Sequence, residues 1–278
     1  MKLFEDKNRN IRICAKEISI GKNVTFGKNT NISVKGSFSI GDYSHLGSNT
    51  EMRGNNIKIG KHFYNSSGLR VGGGGRQHPN ANLTVGNQCT FCNNLINICE
   101  PVIIGNDVGL SEDVSLITHG FWLNALEGYP VNFAGIKIGD GVIVGYRTVI
   151  MMGTEIAPKI VIGANSTVTK NLNEHGVYAG TPAKFIKHIV PLTTVQRIEQ
   201  TEKIISEYIK IANYHNLNPS ITIEYPVVSL DNHFFVNFET LEHWGMENEV
   251  SDDFRDYIRK WGIRIFTERP MVSNFSFD

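Results

Sequence analysis

Cysteine is scarce, with four residues in 278, too few for a disulfide framework to hold the chain. Cys89 and Cys92 have the spacing of half a zinc site with Cys99 nearby, but no second pair follows, so buried free thiols are expected and no metal. No apolar run approaches the roughly 18 residues of a membrane span. The start Met1-Lys2-Leu3-Phe4-Glu5-Asp6-Lys7 lacks the apolar stretch of a secretory signal, and a cytoplasmic location is expected. Net charge is also missing: 27 basic residues balance 27 acidic ones and the pI is near 7.1, which argues against a dedicated nucleic-acid binder. The run Gly72-Gly73-Gly74-Gly75 is not followed by Lys-Ser/Thr and opens no helix, so it is no phosphate-binding loop. It reads instead as a flexible loop beside a site.

What is present is unevenly distributed. Residues 1–188 carry 19 Lys+Arg against 13 Asp+Glu, while residues 189–278 carry 8 against 14. Of 27 glycines, 25 lie in the first segment. Two parts of different character are therefore expected, 1–188 and 189–278.

The first part is periodic. An aliphatic residue recurs every six positions through Ile138, Val144, Ile150, Ile156, Ile162 and Val168. Four places after each comes a small or β-branched residue, as in Val142, Thr148, Thr154, Ile160 and Ser166. A period of six matches neither the 3.6 of a helix nor simple alternation. It fits a triangular solenoid in which six residues make one flat strand and one corner, and stacked coils bury a core that no single coil could. The same register starts at Ile20, Ile40, Ile59, Val85, Ile104, Ile138 and Ile156. Two of these spacings are too long for one coil, which places loops near 68–82 and 118–135.

This pattern resembles the hexapeptide-repeat acyltransferases. The most similar branch is that of the galactoside and maltose O-acetyltransferases, through Ile138-Gly139-Asp140-Gly141-Val142-Ile143-Val144-Gly145, Val161 to Lys170, and Val177-Tyr178-Ala179-Gly180-Thr181-Pro182-Ala183-Lys184. The resemblance covers about 18–188 and implies a mainly β fold, a left-handed parallel β-helix, assembled as a homotrimer with active sites between subunits. It further implies transfer of acetyl from acetyl-CoA to a sugar hydroxyl, as in bacterial surface-polysaccharide biosynthesis. N-acylation of an amino sugar nucleotide and a non-catalytic scaffold are the alternatives.

His119 ends Leu116-Ile117-Thr118-His119, where the chain leaves a coil for the longer insertion. Loops on a rigid scaffold present catalytic groups, and imidazole suits a base working near neutral pH. In the resembling family a His at this position takes the acceptor's proton. Asn93 and Asn94, one coil earlier, match the neighbourhood of an Asn that orients acceptor or acyl group. The resemblance places coenzyme contacts at Gly145, Tyr146, Ala164, Thr169, Lys170, Lys184 and Lys187, the lysines suited to phosphate. Trp122 and Tyr129, in the insertion, are expected against the acceptor sugar or a neighbouring subunit. The sequence departs from the family at Gly120, where Pro is common, and at Ile143, where Trp is common. The three-His zinc site of the related γ-type carbonic anhydrases is absent, since positions 114 and 124 are Val114 and Asn124.

Residues 192–217 have the apolar spacing of a helix, Ile221–Val228 and Phe234–Phe238 read as strands, and an aromatic-rich mixed segment follows. This α+β appendage is expected to cap the open strand edges of the solenoid or to make a subunit contact, with a grip on the substrate as the alternative.

Overall fold

The computed structural model describes residues 1–74 and 78–269. Gly75, the last of the glycine run, lies outside them. Two compact units divide the chain, Met1–Ile189 and the part from Val190 on.

The first unit is a left-handed parallel β-helix of three sheets. Sheet A holds nine strands, in the order Lys2–Asp6, Ile11–Ala15, Thr30–Val34, Glu51–Gly54, Arg70–Gly72, Leu95–Asn97, Ser115–Leu116, Val149–Ile150 and Thr167–Val168. All its pairings are parallel except the first, where Lys2–Asp6 runs antiparallel to Ile11–Ala15. Sheet B has seven strands from Glu17–Ile20 to Glu155–Ile156. Sheet C has nine, from Thr25–Phe26 to Val177–Ala179, closed by the antiparallel Lys184–Lys187.

The seven expected coil starts form one ladder of sheet B: Ile20, Ile40, Ile59, Val85, Ile104, Ile138 and Ile156 are successive Cα partners. Both inward positions of the repeat are buried, the aliphatics Ile138 to Val168 and the smaller Val142, Thr148, Thr154, Ile160 and Ser166 alike. The inward hydroxyls have a reason to be there. Thr148 Oγ1 and Ser166 Oγ both donate to the Gly163 carbonyl, at 3.0 and 2.7 Å, so a corner carbonyl facing the prism interior is not left unpaired. At the corners the backbone turns through positive φ, mostly at Asn and Asp such as Asn29, Asn49, Asp107, Asp113 and Asn165. Their short polar side chains tolerate that region. They also stack: Asn10 Nδ2 donates to Asn29 Oδ1 and Asn29 Nδ2 to Asn49 Oδ1, each at 3.0 Å.

Both insertions leave the prism at the corner between sheets A and B. The first follows Gly72, and the second lies between Ile117 and Ile136. The second folds back on itself as a short hairpin, with His119 opposite Phe133 and Gly120 opposite Asn132.

The second unit has its own core of Ile204, Ile205, Tyr208, Phe234, Phe254 and Ile258. Helix α1, Thr194–Tyr214, starts at a Thr193/Gln196 capping box. A four-stranded antiparallel sheet follows, made of Ile221–Glu224, Val227–Leu230, Phe234–Asn237 and His243–Gly245. The single strand expected over Ile221–Val228 is therefore a hairpin that turns at Tyr225-Pro226. Helix α2, Glu249–Arg259, was not expected; it is capped by Asn248 and Ser251. Its Arg255 is fully buried against Glu247 and Asp252. Among the described residues, no helix is long and apolar enough to cross a membrane.

Candidate active site

The site begins at one buried amide. Asn97 ends its sheet A strand pointing outward, yet it is only 5% exposed because both insertions converge on it. Its Nδ2 donates to the Gly72 carbonyl at 3.1 Å, and its Oδ1 accepts from the Cys99 N–H at 3.2 Å. A carbonyl only accepts and a backbone N–H only donates, so these two bonds fix which end of the amide is oxygen. Thr118, fully buried, donates to the same residue and accepts from the Glu100 N–H at 3.3 Å.

His119 Nδ1 stands 2.8 Å from this Oδ1. With the amide oxygen assigned, Nδ1 carries the hydrogen, and neutral imidazole is left with its lone pair on Nε2. The ring is half-buried. Phe121 and Phe133 pack on it, with centroids at 5.2 and 6.3 Å, and the two phenyl rings stack on each other at 5.5 Å. The glycine loop also reaches the ring. A Cβ on Gly74 would lie 3.3 Å from His119 Nε2, and one on Gly73, whose φ is +105°, would strike Asn97 Nδ2. Glycine is what lets the backbone pass this close to the imidazole.

Asn93 and Asn94 do not join this arrangement. Asn93 is an exposed corner residue at φ 49°, and its Nδ2 donates to Asp113 Oδ1 at 2.7 Å. Asn94 is buried in the prism, taking the Cys92 N–H and giving to the Ser111 carbonyl, each at 2.8 Å. Both serve the coil, and the asparagine that meets the imidazole is Asn97. The aromatics of the insertion divide into two groups. Trp122 is 90% exposed and Tyr129 45%, and the rings against His119 are Phe121 and Phe133.

The coenzyme candidates fall into three places. Gly145, Tyr146 and Ala164 stack at the corner between sheets C and A, where a Cβ on Gly145 would meet the Ala164 nitrogen at 2.5 Å. The Tyr146 carbonyl there accepts from the Asn165 N–H at 2.8 Å. Thr169 and Lys170 lie exposed past the last strand of sheet A. Continuing the parallel register puts Thr169 in the outward row that also holds Asn97, Ile117 and Met151. Lys184 and Lys187 are exposed on the closing strand of sheet C. Sheet A is thus flanked by Tyr146 and Ala164 at one edge and by His119 and Lys170 at the other. Among the described residues, no group of three or more His, Cys, Asp or Glu could hold a metal ion.

No protein-family model matches the chain. Several named proteins do, among them the following three. A probable macrolide acetyltransferase of Lysinibacillus sphaericus is 32% identical over 110 residues, 32% of this chain and 61% of that protein. Galactoside O-acetyltransferase of Escherichia coli (strain K12) is 32% identical over 137 residues, 49% of this chain and 56% of that protein. The chain therefore spans less than two thirds of the length of these two relatives. Protein CapG of Staphylococcus aureus is 35% identical over 132 residues, 44% of this chain and 76% of that protein. With a ladder of six-residue repeats in its three sheets and three quarters of Protein CapG matched at that identity, the chain belongs to the hexapeptide-repeat left-handed β-helix acyltransferases, in their galactoside and maltose O-acetyltransferase-like branch.

Proposed function

We propose that this chain transfers acetyl from acetyl-CoA to a hydroxyl of a carbohydrate, in the synthesis of a bacterial surface polysaccharide, with His119 as general base. The observation that carries the reading is the hydrogen bond from His119 Nδ1 to Asn97 Oδ1, which leaves Nε2 as the proton acceptor at the mouth of the two insertions. A hydroxyl is a poor nucleophile until its proton has somewhere to go, and a positioned imidazole supplies that. Nε2 takes the acceptor proton as the new O–C bond forms. It returns that proton to the departing thiolate as the C–S bond breaks, so the imidazole ends as it began.

The coenzyme supplies the acetyl group in activated form. The residues suited to hold it are Lys170, Lys184 and Lys187, exposed cations for its phosphates, and the Tyr146 and Ala164 corner, where small side chains leave the backbone approachable. Gly145 and Thr169 complete this set. Phe121 and Phe133 give the acceptor ring an aromatic wall. Trp122 and Leu126, at 90% and 95% exposure, suit contact with a neighbouring subunit in a homotrimer.

The test is a screen of acetyl transfer onto sugar hydroxyls and amines, read by product mass. His119→Ala should abolish turnover while acetyl-CoA still binds by calorimetry. Acetylation of amines alone, or full activity in His119→Ala, would overturn the reading.

A further inference from the structure

Thr118 immediately precedes the imidazole, and its hydroxyl is not one the solenoid asks for. Continuing the register of sheet A past Leu116 sets it directly above Ile98, and both side chains are fully buried. An apolar residue at that level fills the prism, as Ile98 does. A hydroxyl there needs partners, because burying it unpaired is costly. Four other buried hydroxyls find theirs within their own corner: Thr30, Thr50, Thr154 and Ser166 each donate to the carbonyl three residues back, at 2.7 to 2.9 Å. Thr118 Oγ1 reaches 21 residues back instead, to Asn97, whose Oδ1 lies at 2.5 Å and main-chain oxygen at 3.2 Å. It also accepts the Glu100 N–H at 3.3 Å. Asn97 Oδ1 is the atom that takes the Cys99 N–H and His119 Nδ1–H as well. A carbonyl oxygen has two lone pairs, so three donors cannot all be served fully at once. The hydroxyl turns about its C–O bond and has a second acceptor within reach, the main-chain oxygen of the same residue.

We propose that Thr118 is a positioning residue for the base: its hydroxyl holds Asn97, and Asn97 holds His119. This rests on the acetyl-transfer reading and adds a second group to the support of the base. Successive side chains of one segment grip the same asparagine, Thr118 from the prism side and His119 from the outside. The backbone between them and the amide thus close a ring of contacts, which keeps the imidazole from sliding along the strand. When Nε2 takes the acceptor's proton, the Nδ1–H bond to Oδ1 becomes charge-assisted and stronger. The hydroxyl can then turn to the main-chain oxygen of Asn97, leaving no donor unpaired and freeing Oδ1 for the imidazolium. Thr118 keeps its own proton throughout.

The experiment is a double-mutant cycle read by kinetics, with NMR of the free protein beside it. Thr118→Val deletes the hydroxyl at nearly constant shape. It should lower kcat about 10-fold, within the range for groups sharing one hydrogen-bond network, with KM for acetyl-CoA unchanged. Thr118→Ser keeps the hydroxyl and should recover most of that loss. In the Asn97→Ala background, Thr118→Val should cost less than about 2-fold more, since the hydroxyl acts through that amide. The Glu100 N–H loses its partner in both arms, so that effect cancels. If the valine variant does not fold, Thr118→Ala against Thr118→Ser gives the same comparison, because the pair differs by the hydroxyl alone. By NMR, the Nδ1–H proton of His119 should be seen in wild type and Thr118→Ser and be lost to exchange in Thr118→Val. Equal losses of kcat in the two backgrounds, wild-type kcat in Thr118→Val, or an Nδ1–H signal unchanged by it would overturn the proposal. The two failures are separable, because the NMR signal needs no turnover. Full activity in His119→Ala would sink the transfer reading while the signal still depended on Thr118. An inactive His119→Ala, with signal and kcat indifferent to Thr118, would sink this proposal alone.

Discussion

Asn97 Oδ1 lies 2.8 Å from His119 Nδ1 across two neighbouring coils, and this single contact decides which imidazole nitrogen can receive a proton. Its strength comes from being over-determined. The amide cannot turn over without breaking bonds to the Gly72 carbonyl and the Cys99 N–H, and unpaired groups buried there cost about 1–3 kcal/mol each. Asn97→Ala should therefore lower kcat on the order of 10²-fold, with KM for acetyl-CoA little changed. Asn97→Asp keeps the acceptor for Nδ1–H and should recover part of that loss. Equal kcat in Asn97→Ala and wild type would show that the imidazole needs no such partner.

Gly74 makes a second demand on the same ring. A Cβ there would come 3.3 Å from Nε2, and a branched side chain would occupy the space an acceptor hydroxyl must enter. Gly74→Val should reduce kcat/KM for the acceptor by 10-fold or more, an order-of-magnitude expectation for a displaced reacting group. The residue is exposed, so thermal stability should hardly move. Steady-state kinetics beside a melting curve separates these effects, and unaltered kcat/KM would place the acceptor elsewhere.

How much of this was legible in the chain depended on whether a position is repeated. Ile20 through Ile156 could be aligned by eye because each coil must put an aliphatic side chain at the same point of the prism. Asn97 could not. Its role arises from the stacking of one coil on the next, 22 residues from His119, and nothing local separates it from the corner residues Asn93 and Asn94. The close approach of Gly74 to the imidazole was equally hidden, although the glycine run itself marked a loop near the site. Helix α2 was missed for a different reason. Asp252, Asp253 and Arg255 are buried in it, so charged residues occupy positions where an amphipathic pattern would show apolar ones.

The rung beneath the site is predicted to be costly to hollow out. Leu116 is fully buried in the prism and pairs with Ile96 below and Ile150 above. Deleting its side chain leaves a cavity that rigid stacked coils close poorly. Leu116→Ala should destabilise the protein by about 3 kcal/mol, measured by urea denaturation. A change below about 1 kcal/mol would mean that the coils collapse around the gap.

The N-terminal coils carry a pH dependence of their own through His45. Burial lowers its pKa from the ordinary 6.5. Its Nδ1 is 2.7 Å from Thr25 Oγ1, and its ring stacks on Tyr64 with centroids 5.5 Å apart. As pH falls below 6.5 the unfolded chain takes up a proton at this position before the folded protein does. Between 6.5 and the lowered folded value, stability therefore rises with pH and is lost as pH drops. His45→Gln cannot titrate, and its amide oxygen can still accept from Thr25. The variant should show a flatter dependence of unfolding free energy on pH below neutrality than wild type does, in urea melts taken from pH 7 downward. Parallel curves for the two proteins would remove His45 from the account and assign the acid sensitivity to other groups.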